Sequence, residues 1–282
     1  MRTATLLVSC SDRTGIVAAL SDFVFRNQGN IVDADQHSEE GSSHFFMRLR
    51  FALDGFALDD DSIRKSLEVL AQRFDMRWQL FFDQRPRVVL FFSTTLHCLY
   101  DLLMRQEMGE LNGDIVAVIS NHDAAKSACE HFGLPCHVLP VTAETKTTVE
   151  SEQQALLEQY QADLIVLARY MQILSPAFVE RWSGRAINIH HSFLPAFAGA
   201  RPYHQAKQRG VKIIGATAHY VTSELDEGPI IEQDVIRVTH RDEVRDLVRK
   251  GRDIERQVLA RAVALHCERR VLIESNRTIV FQ

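Results

Sequence analysis

Apolar residues recur along this chain in two rhythms, and the change falls near residue 84. Before it, "TATLLVS" reads as a strand, and from Arg13 onward Ile16, Val17, Leu20 and Val24 follow helical spacing. Gly29-Asn30 turns the chain into a second strand in "GNIVDADQHS", and "SHFFMRLRFAL" reads as a third. Ile63, Leu67, Leu70 and Phe74 line one face of a helix, and "MRWQLFF" is a fourth strand. The order βαββαβ is that of a ferredoxin-like unit.

The rhythm breaks at "DQRPRV". Pro86 cannot serve a central strand and its neighbours are charged, so residues 84–87 read as a linker between domains 1–83 and 88–282. Beyond it, the continuous apolar runs "VVLFFS", "DIVAVIS" and "ADLIVLA" read as strands buried on both faces. Helices are expected over about 96–108 and 124–132, and "RAINIH" is the next strand. Strands alternating with helices imply a doubly wound, mostly parallel, Rossmann-like sheet with ligands at the carboxyl ends of its strands. "VKIIGATAHYV" and "PIIEQDVIRV" are longer β segments, and a last helix covers about 242–266. The mixed charge of that helix reads as a solvated face. The fold class is therefore α/β, with a small ferredoxin-like domain ahead of a larger Rossmann-like one.

Composition alters this picture little. The 282 residues are 46% hydrophobic and 24% charged, as in ordinary soluble proteins. A net charge of −5 gives no broad attraction for nucleic acid or an anionic membrane. Cys10, Cys98, Cys129, Cys136 and Cys267 form neither a C-x-x-C pair nor a zinc spacing, and read as reduced thiols of a cytoplasmic protein. "MRTATLLVSCSDRTG" is interrupted by charge too soon for a signal peptide. No apolar run approaches the roughly 20 residues that span a bilayer.

The candidate chemistry centres on "AINIHHSFLPAF". Side chains of a strand alternate, so Asn188 and His190 face one way at the carboxyl end of "RAINIH". An amide N–H and an imidazolium side by side can grip one oxyanion. His191 is expected to point away from that face or to sit in the loop. The plain alternative is that Asn188 and His190 only satisfy each other or nearby backbone. In "HYVTSELDEGPII", Asp226 stands at the tip of a turn shaped by Gly228 and Pro229, as a candidate base or orienter of one. His190, His191, His204 and His219 have no metalloprotease or carboxylate-paired spacing, so no catalytic metal is expected. "ARYMQILSPAFV" offers Tyr170, Met171, Ile173 and Leu174 as an apolar slot for a flat ligand, or simply as core. The turn "FFSTTLHCLYDLL" has no glycine, which argues against a nucleotide or sugar phosphate there.

"INIHHSFLPAFAGARPYHQAKQRGVKIIGATAHYV" with "LDEGPII" closely resembles the formyltetrahydrofolate deformylases, within the folate-dependent formyltransferase class. "CSDRTGIVAALSDFVFRNQGNIVDADQHS" resembles their N-terminal ACT domain, and "NHD", "LARYMQIL" and "NRTIVF" also match. The resemblance implies hydrolysis of 10-formyltetrahydrofolate to tetrahydrofolate and formate, feeding purine synthesis and balancing one-carbon pools. It implies Asn188, His190 and Asp226 as the catalytic trio. It implies Tyr170, Met171, Ile173, Leu174, Val221, Ser223, Glu224 and Leu225 as folate contacts, with His191 and His219 behind the reacting groups. No cofactor is implied beyond the folate substrate and water.

Transferases that formylate a phosphorylated amine resemble this chain but carry proline at the place of His191 and a Gly-rich turn at "STTLHC". Both departures favour water as acceptor. Ser11 and Thr14 stand where ACT domains often have proline, so an amino-acid effector such as glycine or methionine follows less directly than the fold. Edge-to-edge pairing of ACT domains implies a homo-oligomer. An amine-acceptor formyltransferase, or a sensor that has lost activity, are the alternatives; the intact Asn188, His190 and Asp226 speak against the second.

Overall fold

The structure, a computed structural model, describes residues 1–39, 41–195 and 202–282. Part of the "HHSFLPAFAGARPYH" motif, residues 196–201, lies outside the described residues. The chain divides into two compact units. The first is Met1–Gln84 with Arg269–Leu272 and Ile279–Gln282; the second is Arg85–Glu268 with Ile273–Thr278.

In the first unit β1 (Thr3–Ser11), α1 (Ile16–Arg26), β2 (Ile31–Glu39), β3 (His44–Ala52), α2 (Asp60–Phe74) and β4 (Arg77–Phe82) follow the expected βαββαβ order. The sheet runs β2-β3-β1-β4, with every pair antiparallel. Ala4, Leu6, Val8 and Cys10 alternate onto one face of β1 and meet Ile16, Leu20, Ile63 and Leu67 of the helices. Asp59 caps α2 by accepting from the Ser62 N–H at 2.8 Å. Leu7 and Phe46 face the other way and pack with Phe281, Leu272 and Ile279. Assigning all of 88–282 to the second domain is therefore corrected at the C-terminus. Those tail residues cover a sheet face whose need for cover cannot be read locally.

The second unit contains β5 (Arg87–Phe92), α3 (His97–Glu107), β6 (Asp114–Ser120), a 3₁₀ turn (Asp123–Ala125), α4 (Lys126–His131) and β7 (Cys136–Val138). It continues with α5 (Lys146–Gln159), β8 (Leu164–Leu167), α6 (Pro176–Arg181), β9 (Ala186–His190), α7 (Pro202–Arg209), β10 (Ile213–Tyr220), β11 (Ile230–Arg237) and α8 (Val244–Cys267). The short β12 (Val271–Glu274) and β13 (Arg277–Val280) pair with each other. Arg87 already belongs to β5, so the supposed linker over 84–87 is shorter than expected.

The large sheet runs β11-β10-β9-β8-β5-β6-β7. From β9 to β7 all pairs are parallel; β10 and β11 add an antiparallel edge. Val88 to Phe92 are fully buried, which explains the unbroken apolar run of β5. One face packs on Leu157, Phe178, Val179 and Trp182; α8 lies against β9, β10, β11 and α3. After β5 the chain builds β6 and β7 on one side, then crosses back to place β8 on the other. Order reverses between β5 and β8, and the crevice at their carboxyl ends is where such a sheet takes ligands. Among the described residues no helix is long and apolar enough to cross a membrane.

Candidate active site

The site begins with a cross-strand pair. In the antiparallel β9–β10 ladder, Asn188 stands opposite His219 and His190 opposite Thr217. Residues opposite each other share a face, so strand alternation brings Asn188, His190 and His219 together. The His219 Nδ1 lies 2.9 Å from the Tyr220 carbonyl oxygen and must donate to it. Its Nε2 is then an acceptor, and it takes the Asn188 Nδ2–H at 3.2 Å. Burial depresses the His219 pKa, which fits this neutral tautomer. His219 thus holds the Asn188 amide in one orientation.

Asp226 arrives from the turn between β10 and β11. Its φ of 60° is left-handed, a conformation aspartate tolerates better than most residues. Two residues on, a Cβ at Gly228 would overlap the Tyr220 carbonyl oxygen, so the turn closes only with glycine. Asp226 Oδ1 lies 3.2 Å from His190 Nδ1 and 3.8 Å from His219 Nε2. The hydrogen bond from His190 holds the Asp226 carboxyl below the usual carboxylate range, against the opposing effect of burial. With Nδ1 engaged, His190 Nε2 is left buried without a partner among the described residues. Asn188, His190, Asp226 and His219 therefore converge on one cluster.

His191 sits in the loop, one of its two expected places. β9 ends at His190, so alternation no longer governs the next residue. The two imidazoles stack, with centroids 5.0 Å apart and planes 27° apart. His191 lies beside His190. Burial, followed by the Arg169 and His190 charges, pushes its pKa down to about 4.

The expected folate contacts divide. Tyr170 and Leu174 are buried in the core against Phe91 and Phe178, and the Tyr170 hydroxyl accepts from Gln153 Nε2 at 2.6 Å. Val221 is half-buried on the same cluster. Met171, Ile173 and Leu225 are exposed at 67%, 64% and 66%, unusual for such side chains and suited to an apolar ligand. Ser223 and Glu224 are exposed beside Leu225. Arg169 and Met171 both have positive φ, 65° and 61°, so the segment leaving β8 is held in a costly conformation.

A second cluster was not anticipated. Glu255 was read with the rest of α8 as part of a solvated face, but it is 1% exposed. Its carboxylate accepts from Tyr203 Oη at 2.9 Å and pairs with His97 Nε2 at 2.9 Å and Arg169 Nη1 at 3.8 Å. Burial pushes the Glu255 carboxyl up, but these partners outweigh it and leave it below the usual range. The legible signal is position: Leu247, Gly251, Glu255 and Val258 follow the buried stripe of α8, and Glu255 is its one carboxylate. His97, Cys98 and Glu255 are close enough to offer three ligand atoms to a metal. Both Glu255 oxygens are already engaged, and burial pushes the Cys98 thiol up. A cationic guanidinium also stands beside them, so the donor set fits a proton-bearing network better than a metal.

Residues 86–263 match the formyl transferase family. A formyltetrahydrofolate deformylase from Synechocystis sp. is 55% identical over 280 residues, covering 99% of this chain and 98% of that protein. The crystal structure of a formyltetrahydrofolate deformylase from Pseudomonas syringae pv. tomato superposes with a TM-score of 0.97 at 49% identity, covering 100% and 95% of the two chains. The glycinamide ribonucleotide transformylase 1 of Symbiobacterium toebii matches with a TM-score of 0.68 at 30% identity, covering 72% of this chain and 98% of that one.

Proposed function

The chain belongs to the formyltetrahydrofolate deformylases of the formyl transferase family, and on that premise we propose how its residues hydrolyse 10-formyltetrahydrofolate to tetrahydrofolate and formate. The observation that carries the mechanism is the division of His190: Nδ1 is held by Asp226, and Nε2 is buried and unpaired.

Water attacks the formyl carbon, a C–O bond forms, and the carbonyl oxygen becomes an oxyanion. Asn188, oriented by His219, and Nε2–H of His190 donate to it. Asp226 holds His190 through Nδ1 and takes the proton lost by water. Collapse breaks the bond from carbon to N10, N10 takes the proton that Asp226 accepted, and the formic acid formed gives up its own proton to solvent as formate. Exposed Met171, Ile173 and Leu225, with Val221, Ser223 and Glu224, support the folate contacts, while Tyr170 and Leu174 shape the floor beneath them. The reaction as written needs neither metal nor cofactor.

The test is formate release from 10-formyltetrahydrofolate with no other acceptor present. Release at catalytic rates is expected; release only when an amine is added would make the protein a formyltransferase to that amine.

The βαββαβ unit is read as an ACT domain on the strength of its topology and the "CSDRTG" segment. Glycine or methionine is its proposed effector, tested by calorimetry with each. The exposed edge strand β2 supports a homo-oligomer through pairing of such edges, tested by light scattering. The products are assigned to purine synthesis and one-carbon balance, in a cytoplasmic setting free of nucleic-acid and membrane partners.

A further inference from the structure

The mechanism above uses none of the Glu255 cluster, yet the fold accepts costs to build it. A buried carboxylate is tolerated only when charges and hydrogen bonds replace its water. Gly251 lies within the unbroken α8, where a Cβ would overlap the Tyr203 hydroxyl; glycine is a poor helix residue, but here it lets Tyr203 reach Glu255. The cluster also sits at the reversal of strand order. His97 follows β5 and Arg169 follows β8, the two strands flanking that crevice.

The cluster reaches the reacting groups through His191. The Tyr203 ring lies 6.0 Å from the His191 ring, which stacks on His190. Tyr203 is in turn held by Glu255, and Glu255 by His97 and Arg169. His191 is faced by the positive Arg169 and His190, by the negative Glu255 and Asp226, and by the Tyr203 ring. Burial and the two positive neighbours keep it neutral near pH 7, so its ring retains a lone pair. Arg169 Nε and Nη1 and His97 Nδ1 are buried without hydrogen-bond partners among the described residues.

We propose that Glu255 is a positioning residue that, through Tyr203 and Arg169, holds His191 where it orients the attacking water, and so makes water the acceptor of the formyl group. This rests on the deformylase reading. His191 touches the nucleophile; Glu255 acts only through its neighbours.

The test is competition between two nucleophiles in the full-length protein, with hydroxylamine as the probe. Water attack forms a C–O bond, breaks the bond to N10 and yields formate. Hydroxylamine attack forms a C–N bond, breaks the same bond and yields N-hydroxyformamide. Both products are quantified for the wild type, Glu255→Gln, Tyr203→Phe and His191→Gln. The ratio of formate to N-hydroxyformamide should fall about 10-fold or more in His191→Gln, with smaller falls in the same direction in the other two. KM for the folate should stay within about 3-fold. A purely structural role lowers both products together, and an unchanged ratio in all three variants overturns the proposal. If Glu255→Gln fails to fold, Tyr203→Phe, which removes one hydroxyl, decides alone. A wild type that releases no formate without an added acceptor overturns the deformylase reading instead.

Discussion

Two carboxylate–histidine pairs stand at the head of the same sheet, chemically alike and differently surrounded. His190 and Asp226 lie 3.2 Å apart, and His97 and Glu255 lie 2.9 Å apart. Asp226 sits at the tip of a turn, its side chain 18% exposed, and the one oxygen that pairs with His190 also lies 3.8 Å from His219 Nε2. Glu255 sits mid-helix, its side chain 2% exposed, with both oxygens engaged. A charge that must change partners during a reaction needs an incomplete shell. A charge that must stay in place needs a complete one. Surroundings, not residue type, separate reactive from supporting pairs.

The contrast can be broken by substitution, beginning with the largest expected effect. His190→Ala should lower formate turnover roughly 10³–10⁴-fold, about 4–5.5 kcal/mol in activation free energy, while the melting temperature moves little. If His191→Ala is inactive and His190→Ala is active, the assignment of the reacting imidazole is reversed. Glu255→Ala should act first on stability. It leaves the half-buried Arg169 and His97 without their carboxylate and should cost about 3 kcal/mol of stability by denaturant unfolding. A near-neutral Glu255→Ala would remove the distinction between the pairs.

Asn188→Ala should reduce kcat about 10²–10³-fold with a smaller change in KM, and unchanged kcat would end its role as oxyanion donor. Gly228→Ala sharpens the contrast from the side of backbone geometry. The added methyl meets the Tyr220 carbonyl, so stability should fall by about 1–3 kcal/mol and turnover should fall with it as Asp226 is displaced.

A further effect is in the pH dependence of stability. His191, at about 4, and His219, also lowered, resist protonation when folded, whereas the unfolded chain takes up these protons near 6.5. Stability should therefore decline as pH falls from 6.5 toward 4. His191→Gln should flatten that decline without abolishing it, because His219 acts in the same direction. Thermal unfolding across this range measures both.

Much of this molecule is local and therefore legible. The apolar rhythms of β1, β3, β5 and β6 and of the long α8 are consequences of one-sided or two-sided burial, which leaves a period in the chain. Asn188 and His190 could be paired in advance because strand alternation is a property of the backbone. The short β7 and the hairpin of β12 and β13 have too few residues to show a period and escaped notice.

What tertiary structure alone decided lies where segments remote in sequence meet. The tail residues Leu272, Ile279 and Phe281 cover Leu7 and Phe46, a contact with no local trace. His191 stacks on His190 because the strand ends between them, and alternation holds only while a strand lasts. The partners of Glu255 come from residues 97, 169 and 203, on separate elements joined only by the reversal of strand order. Periodicity reports which side of an element is buried. It carries no information about which buried groups will find each other, because that is fixed by the order of strands in the sheet.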